Sequence, residues 1–101
     1  MQVFYVKTMV SYPYAEREKN MLYQTREFKA RIIELSPEGK MPTCEMTSYV
    51  MFYVLTGKAE IEVNLEKVTI TEGQCLITEP ATLSMRTQDG VKIMGIQVTK
   101  K

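Results

Sequence analysis

The chain has 101 residues, of which 45% are apolar and 25% charged, and its formal net charge is +1. A chain of this length fits one compact domain with a core of its own. Because its lysines and arginines are spread mostly as single residues, it lacks the basic stripe of a nucleic-acid-binding surface. No apolar run approaches the roughly 20 residues that span a bilayer, so we expect no integral membrane segment.

Histidine is absent and cysteine occurs only twice. Without histidine the chain has no imidazole base, no Ser-His-Asp or Cys-His nucleophile, and no histidine-ligated zinc or iron site. Cys44 and Cys75 are too few for a four-cysteine zinc site, and no signal-peptide pattern precedes them. We therefore predict a cytoplasmic protein with reduced thiols and no cofactor.

The first predicted element is an N-terminal arm, residues 1–20. Its β-prone patch at residues 3–6 fits either an edge strand or an arm laid on a partner. Pro13 interrupts this patch, because proline lacks the amide that a central strand must donate. The polar stretch at residues 15–20 fits either a surface loop or one helical turn. We predict that the arm is an appendage to a single β-barrel formed by residues 21–101.

The next long apolar run, residues 27–35, is predicted to be a strand. Within it Phe28, Ala30 and Ile32 alternate with Lys29 and Arg31. Such alternation is typical of a strand with one buried face and one face in water. We expect the apolar set to be the buried one.

Two more apolar runs, residues 49–55 and 59–63, flank Thr56-Gly57-Lys58. Glycine tolerates the positive φ that tight turns demand, so this arrangement predicts a hairpin. Later turn signals at residues 64–67, 71–73, 79–80 and 87–90 separate further short apolar runs. Cys75 lies in one of these runs and is predicted to be part of the core. Turns about every 8 to 12 residues, without a helix pattern, indicate an all-β sandwich or barrel.

The run at residues 49–55 is apolar at both odd and even positions. A strand of an antiparallel sheet with two apolar faces needs cover on both sides. The second cover is either another sheet of the same chain, the N-terminal arm or a second subunit. In so short a chain the second subunit is preferred, so we predict a homodimer in which the N-terminal arm takes part.

The order of strands and turns resembles a small single-domain cupin, a double-stranded β-helix also described as a jelly-roll barrel. Residues 37–39 are similar to the opening glycine turn of the family's first motif, and residues 53–57 to its closing "YVLxG" segment. Residues 71–80 are similar to the glycine-to-proline span of the second motif. The resemblance covers about residues 21–98 and implies an all-β, cupin-like fold in one domain.

The same resemblance places four other residues where the family has its metal ligands. Cys44 and Met46 occupy the positions of two histidines, Val50 that of the glutamate, and Met85 that of the third histidine. With all four ligands replaced, the resemblance implies a cupin barrel without the family's metal chemistry. The histidine-dependent epimerase mechanism of some metal-free relatives is excluded as well, since the chain has no histidine base.

We expect Phe52 to share a face with Val50, so that Cys44, Met46 and Met85 complete an apolar ligand pocket. Such a pocket suits a small apolar organic ligand, and our leading interpretation is binding or sensing without catalysis. One alternative is an enzyme or metal-binding protein with a soft Cu(I) site at Cys44, Met46 and Met85, since sulfur ligands select Cu(I). Another is a structural or interaction barrel filled by its own side chains, because methionine and cysteine also pack as apolar residues.

Overall fold

A computed structural model describes residues 1–100, which form eight strands after a short 3-10 helix. The helix spans Tyr14–Asn20, so the helical alternative for residues 15–20 is confirmed, and no strand forms at residues 3–6. No helix in this range is long and apolar enough to cross a membrane. The strands are β1 (Met21–Gln24), β2 (Phe28–Leu35), β3 (Lys40–Met46), β4 (Tyr49–Val63), β5 (Glu66–Thr71), β6 (Cys75–Thr78), β7 (Ala81–Arg86) and β8 (Val91–Val98).

The strands pair antiparallel in two sheets that face each other across one core. The first sheet has the order β1-β2-β8-β4-β6, and the second has the order β5-β4-β7-β3. Buried side chains from both sheets form a single cluster, including Ile33, Phe52, Ile61, Leu83 and Ile93. The all-β barrel prediction is confirmed.

The predicted hairpin at Gly57 is wrong, because β4 is one continuous strand of 15 residues. Its first part pairs with β8, and from Lys58 onward it pairs with β5, so the strand passes from one sheet to the other. Gly57 adopts φ +86°, and a Cβ there would lie 2.3 Å from the Gly90 carbonyl oxygen. Glycine is therefore required for a bend between the sheets, where the sequence indicated a turn. The hairpin actually forms at Asn64-Leu65, which have φ values of 48° and 74°.

The side of β2 that joins the core cluster is the one expected to face water. Ile33 and Leu35 belong to the core cluster, and Arg31 shares their face by strand alternation. Ile32 is also buried, yet it lies on the opposite face and outside that cluster. Lys29 and Arg31 are tolerated on the inward face because this face opens to solvent at one end of the barrel.

The N-terminal arm folds back against the outer side of its own barrel. The ammonium group of Lys92 donates to the Met9 carbonyl at 2.6 Å and to the Lys7 carbonyl at 3.4 Å. Ser11 donates its hydroxyl to Glu34 at 2.9 Å, and Glu34 is the register partner of Lys92 across β2 and β8. These contacts fix residues 7–11 beside the first sheet. Lys101, the last residue of the predicted barrel, lies outside the described residues.

Candidate functional site

A narrow cavity of about 40 Å³, which we call the throat, lies between the two sheets near one end of the barrel. The apolar side chains in its wall include Ile33, Met41, Phe52 and Leu83. A water molecule occupies about 30 Å³ in the liquid, and ligand pockets commonly hold roughly 300–1,000 Å³. The throat therefore admits only one small group, and the chain's own side chains fill most of the barrel.

A wider groove of about 710 Å³, which we call the mouth, opens over the throat. The two spaces share five residues, Tyr14, Arg31, Cys44, Met46 and Gln97. The mouth is more polar than the throat, since its border includes charged side chains from the 3-10 helix, β2 and β3. These charged residues are Arg17, Glu18, Lys29, Arg31 and Glu45.

The fold places the polar side chains of the mouth in defined positions. Arg31 stands opposite Gly95 in the register of β2 and β8, and a Cβ at Gly95 would lie 3.2 Å from Ile33 and 3.5 Å from Phe52 in the throat wall. Arg17 packs its guanidinium 4.5 Å from the centre of the Tyr14 ring and donates to the Tyr14 carbonyl at 3.2 Å. The Gln97 amide lies 4.0 Å from the Met46 sulfur. The cation over an aromatic face gives Arg17 a preferred orientation at the rim.

The structure brings together only some of the five predicted pocket residues. Cys44 and Met46 border both the throat and the mouth, with their sulfur atoms 3.5 Å apart, and Phe52 lies in the wall of the throat. Val50 and Met85 are 1% and 2% exposed and belong to the core cluster, not to the lining of either space. Two of the three sulfur atoms proposed for a Cu(I) site are therefore adjacent, and the third lies elsewhere.

Sequence reasoning missed the polar residues of the mouth. Tyr14 and Arg17 belong to the segment regarded as an appendage, while Arg31 and Gln97 come from strands treated as framework. The sequence did indicate an inward position for Arg31, because strand alternation places it on the same face as the apolar residues Ile33 and Leu35.

Several solved structures share this architecture. A conserved protein of unknown function from Streptococcus pyogenes matches with a TM-score of 0.75 and 17% identity, covering 80% of this chain and 72% of that chain. The cupin domain of Cnp3 from Schizosaccharomyces pombe has a TM-score of 0.73 and 19% identity, covering 79% of this chain and 62% of that one. A cupin superfamily protein from Desulfitobacterium hafniense has a TM-score of 0.75 and 14% identity, covering 79% of this chain and 74% of that chain.

The chain has the cupin fold. At these identities the likeness extends to the fold, which is what the sequence resemblance implied. A scan against models of protein families and a search of curated proteins found no match.

The residues at the ligand positions of this cupin barrel do not fit the family's metal site. Val50 carries no donor atom, and Met85 is buried in the core. Within residues 1–100, no cluster of three or more histidine, cysteine, aspartate or glutamate side chains could hold a metal ion. The donors that remain at the family's ligand positions, the Cys44 thiol and the Met46 thioether, are soft ligands that suit neither magnesium nor calcium.

A second candidate site is the outer face of the first sheet. Strand alternation and register place ten uncharged, mostly apolar residues there in adjacent rows. We call this set the outer apolar face: Phe28, Ala30, Tyr49, Met51, Tyr53, Cys75, Ile77, Met94, Ile96 and Val98. Ile77 is 73% exposed, and Cys75 is exposed as well, so the core prediction for Cys75 is wrong. Its register partner Tyr53 is an outward residue of β4, which explains the exposure of Cys75.

The outer face of the second sheet has the opposite character. Glu60 and Glu62 point outward there, and Arg86 reaches Glu60 at 2.8 Å. Alternating charges of this kind suit contact with water. The cupin barrel thus presents one charged face and one apolar face, and the apolar one is continuous across four strands.

Proposed function

We propose that this cupin-fold chain is a binding domain that holds a small molecule at the mouth of its barrel and does not catalyse its conversion. The observation that carries the proposal is the continuity of a roomy polar groove with a small apolar cavity beneath it. A few polar groups around an apolar recess are the usual composition of a small-molecule site. The ligand lies mainly in the mouth, because the throat accepts only one small group.

The chemistry of the bordering side chains favours binding over catalysis. A guanidinium carries five donors and no acceptor, so Arg17 and Arg31 suit the binding of anions and not the removal of protons. Glu45 is an exposed strand carboxylate at the rim. The Cys44 thiol has a thioether as its nearest partner, which does not activate it as a nucleophile.

This proposal is tested by screening small organic molecules against the protein with two-dimensional amide NMR. We expect hits to shift the amides of Arg31, Cys44 and Gln97. The variant Cys44→Tyr, which places a ring in the mouth, should abolish those shifts, whereas Thr69→Tyr on the second sheet should preserve them. Hits that persist in Cys44→Tyr, or a screen in which no compound shifts a mouth amide, would contradict the proposal.

The outer apolar face supports a second functional element, the homodimer expected from the sequence. Four strands about 4.8 Å apart, with outward residues about 6.7 Å apart along each, give a patch of roughly 300 Å². The largest apolar patch on a soluble monomer commonly measures about 300–600 Å² and often has a function, so a patch of this size suits part of a contact. A standard interface buries about 800 Å² on each partner, so the sheet alone is too small.

The N-terminal arm can supply the remaining area of such a dimer. Residues 7–11 are held beside the first sheet, and Val3, Tyr5 and Val10 are 78%, 81% and 84% exposed. We therefore propose that the sheet and the arm together form the dimer contact, with the domain limits 1–20 and 21–101 as predicted. A cytoplasmic location remains a prediction.

The dimer is tested with Ile77→Glu, which places a charge on an exposed side chain and leaves the core intact. Sedimentation equilibrium should give a dimer for the unaltered chain and a monomer for Ile77→Glu. The matched control is Thr69→Glu, because Thr69 is exposed on the second sheet and pairs with the outward residue Glu60. A monomeric unaltered chain, or a dimeric Ile77→Glu protein, would refute this interface.

A further inference from the structure

We propose that the ligand of the mouth is a small carboxylate whose charged group binds Arg31 and whose short apolar tail enters the throat. This inference rests on the proposed binding function and names the class of ligand.

The first support is the charge of the mouth. Its border carries three cations, Arg17, Lys29 and Arg31, and two carboxylates, Glu18 and Glu45. The ion pairs found among residues 1–100 are Lys7 with Glu72, Lys19 with Glu16, and Arg86 with Glu60, all outside this set. The three cations of the mouth therefore have no carboxylate partner within 4.0 Å in the described chain, and the groove has a net positive charge.

The second support is the position of Arg31. It is half-buried on the inward face of β2, and its guanidinium forms neither a salt bridge nor a side-chain hydrogen bond with residues 1–100. A partly desolvated guanidinium keeps five donors in a planar fork, which matches the two oxygens of a carboxylate. Such paired, charge-assisted bonds are stronger than bonds between neutral groups, so an incoming carboxylate gains most at this position.

The third support is the throat directly beneath Arg31. Phe52, Leu83 and Ile33 give it apolar walls, and its volume of about 40 Å³ exceeds that of one water molecule only slightly. A cavity of this size accepts the end of a short alkyl chain and excludes a ring or a branched group. Because Arg31 borders both spaces, one ligand can reach the guanidinium and the throat together.

The test is a calorimetric and amide-NMR titration of the full chain with acetate, propionate and butyrate. Propionamide serves as the uncharged counterpart of propionate, and inorganic phosphate as an anion without a tail. We expect propionate or butyrate to bind more tightly than acetate, propionamide or phosphate, and to shift the amides of Arg31 and Gly95. Added salt should weaken this binding, because the contact is ionic.

Two variants of Arg31 and one control variant distinguish the loss of charge at this position from a loss of folding. Arg31→Gln should weaken propionate binding about tenfold or more, the loss expected for hydrogen bonds to a charged group. Arg31→Lys keeps the positive charge but loses the planar pair of donors, so its affinity for propionate should lie between that of the unaltered chain and that of Arg31→Gln. Arg86→Gln removes an arginine from the opposite outer face and should bind propionate as the unaltered chain does. Unfolding midpoints show whether each variant is folded.

Each of the following titration results would refute a particular part of the proposal. If other organic compounds bind at the mouth but none of the three carboxylates does, the ligand class is wrong and the binding function stands. If propionamide binds as tightly as propionate, or Arg31→Gln binds unchanged, the role of Arg31 is refuted. If phosphate binds as tightly as propionate, the role of the throat is refuted. If no compound of any class shifts the amide signals of the mouth residues, both the ligand class and the proposed binding function are refuted.

Discussion

Replacing Gly57 by alanine should destabilise the protein far more than replacing another glycine of the same backbone conformation. Gly57 has φ +86°, and an L-residue in the left-handed region costs about 1–2 kcal/mol. The added Cβ would also lie 2.3 Å from the Gly90 oxygen and 3.0 Å from the Val91 Cα. Because both neighbours are backbone atoms, the strands must move apart, a strain of about 1–3 kcal/mol. The expected loss of unfolding free energy is about 2–5 kcal/mol.

Gly73 provides the matched control for this substitution. It has φ +85°, and a Cβ there would meet no atom within 4 Å. Gly73→Ala should therefore show only the backbone cost of about 1–2 kcal/mol. Urea unfolding at one fixed protein concentration measures both variants, and the concentration must be fixed because association changes the apparent stability. Equal losses for the two variants would refute the claim that close approach to Gly90 is what requires glycine at the bend.

Three further changes test other parts of the structure. Leu65→Gly should raise the unfolding free energy by about 1 kcal/mol, because Leu65 has φ 74° and is 87% exposed; an unchanged urea midpoint would contradict this. Lys92→Met should speed hydrogen exchange in residues 7–11, because the donor to two arm carbonyls is lost; exchange no faster than in the control Lys67→Met would count against that role. Phe52→Ala should cost about 3–5 kcal/mol, because Phe52 is buried in the throat wall; a loss below about 1 kcal/mol would show that the wall collapses.

Much of the strand order could be predicted from the sequence, because turn residues and alternation are local signals. The run at residues 75–77, for instance, became β6, Cys75–Thr78. The bend at Gly57 could not be recognised in the same way. A glycine with positive φ has the same local signature in a hairpin turn and in a bend between two sheets. What distinguishes them is the approach of Gly90, which is 33 positions away in the printed sequence.

The candidate site was predicted less well than the fold, for reasons of register. Counting from the glycine and proline positions of the motifs placed Cys44 and Met85 at ligand positions of one site, but β3 and β7 pair Met85 with Met41 and Cys44 with Leu83. Met41 and Met85 are both buried in the core, whereas Cys44 is exposed, so the Cys44 thiol and the Met85 thioether do not share one site. The pairing of these strands also shifts by one residue between Met41 and Cys44, and no pattern in the sequence marks that shift.

The continuity of β4 limits where this chain can be cut. A polypeptide divided at Gly57 splits the strand that both sheets share, so each fragment carries only part of β4. A break at the exposed turn formed by Asn64 and Leu65 instead leaves β4 whole. Chain breaks and circular permutation succeed mainly at exposed loop tips. Reassembly from two halves, or a rearranged order of termini, is therefore feasible at the turn after β4 and not within the strand.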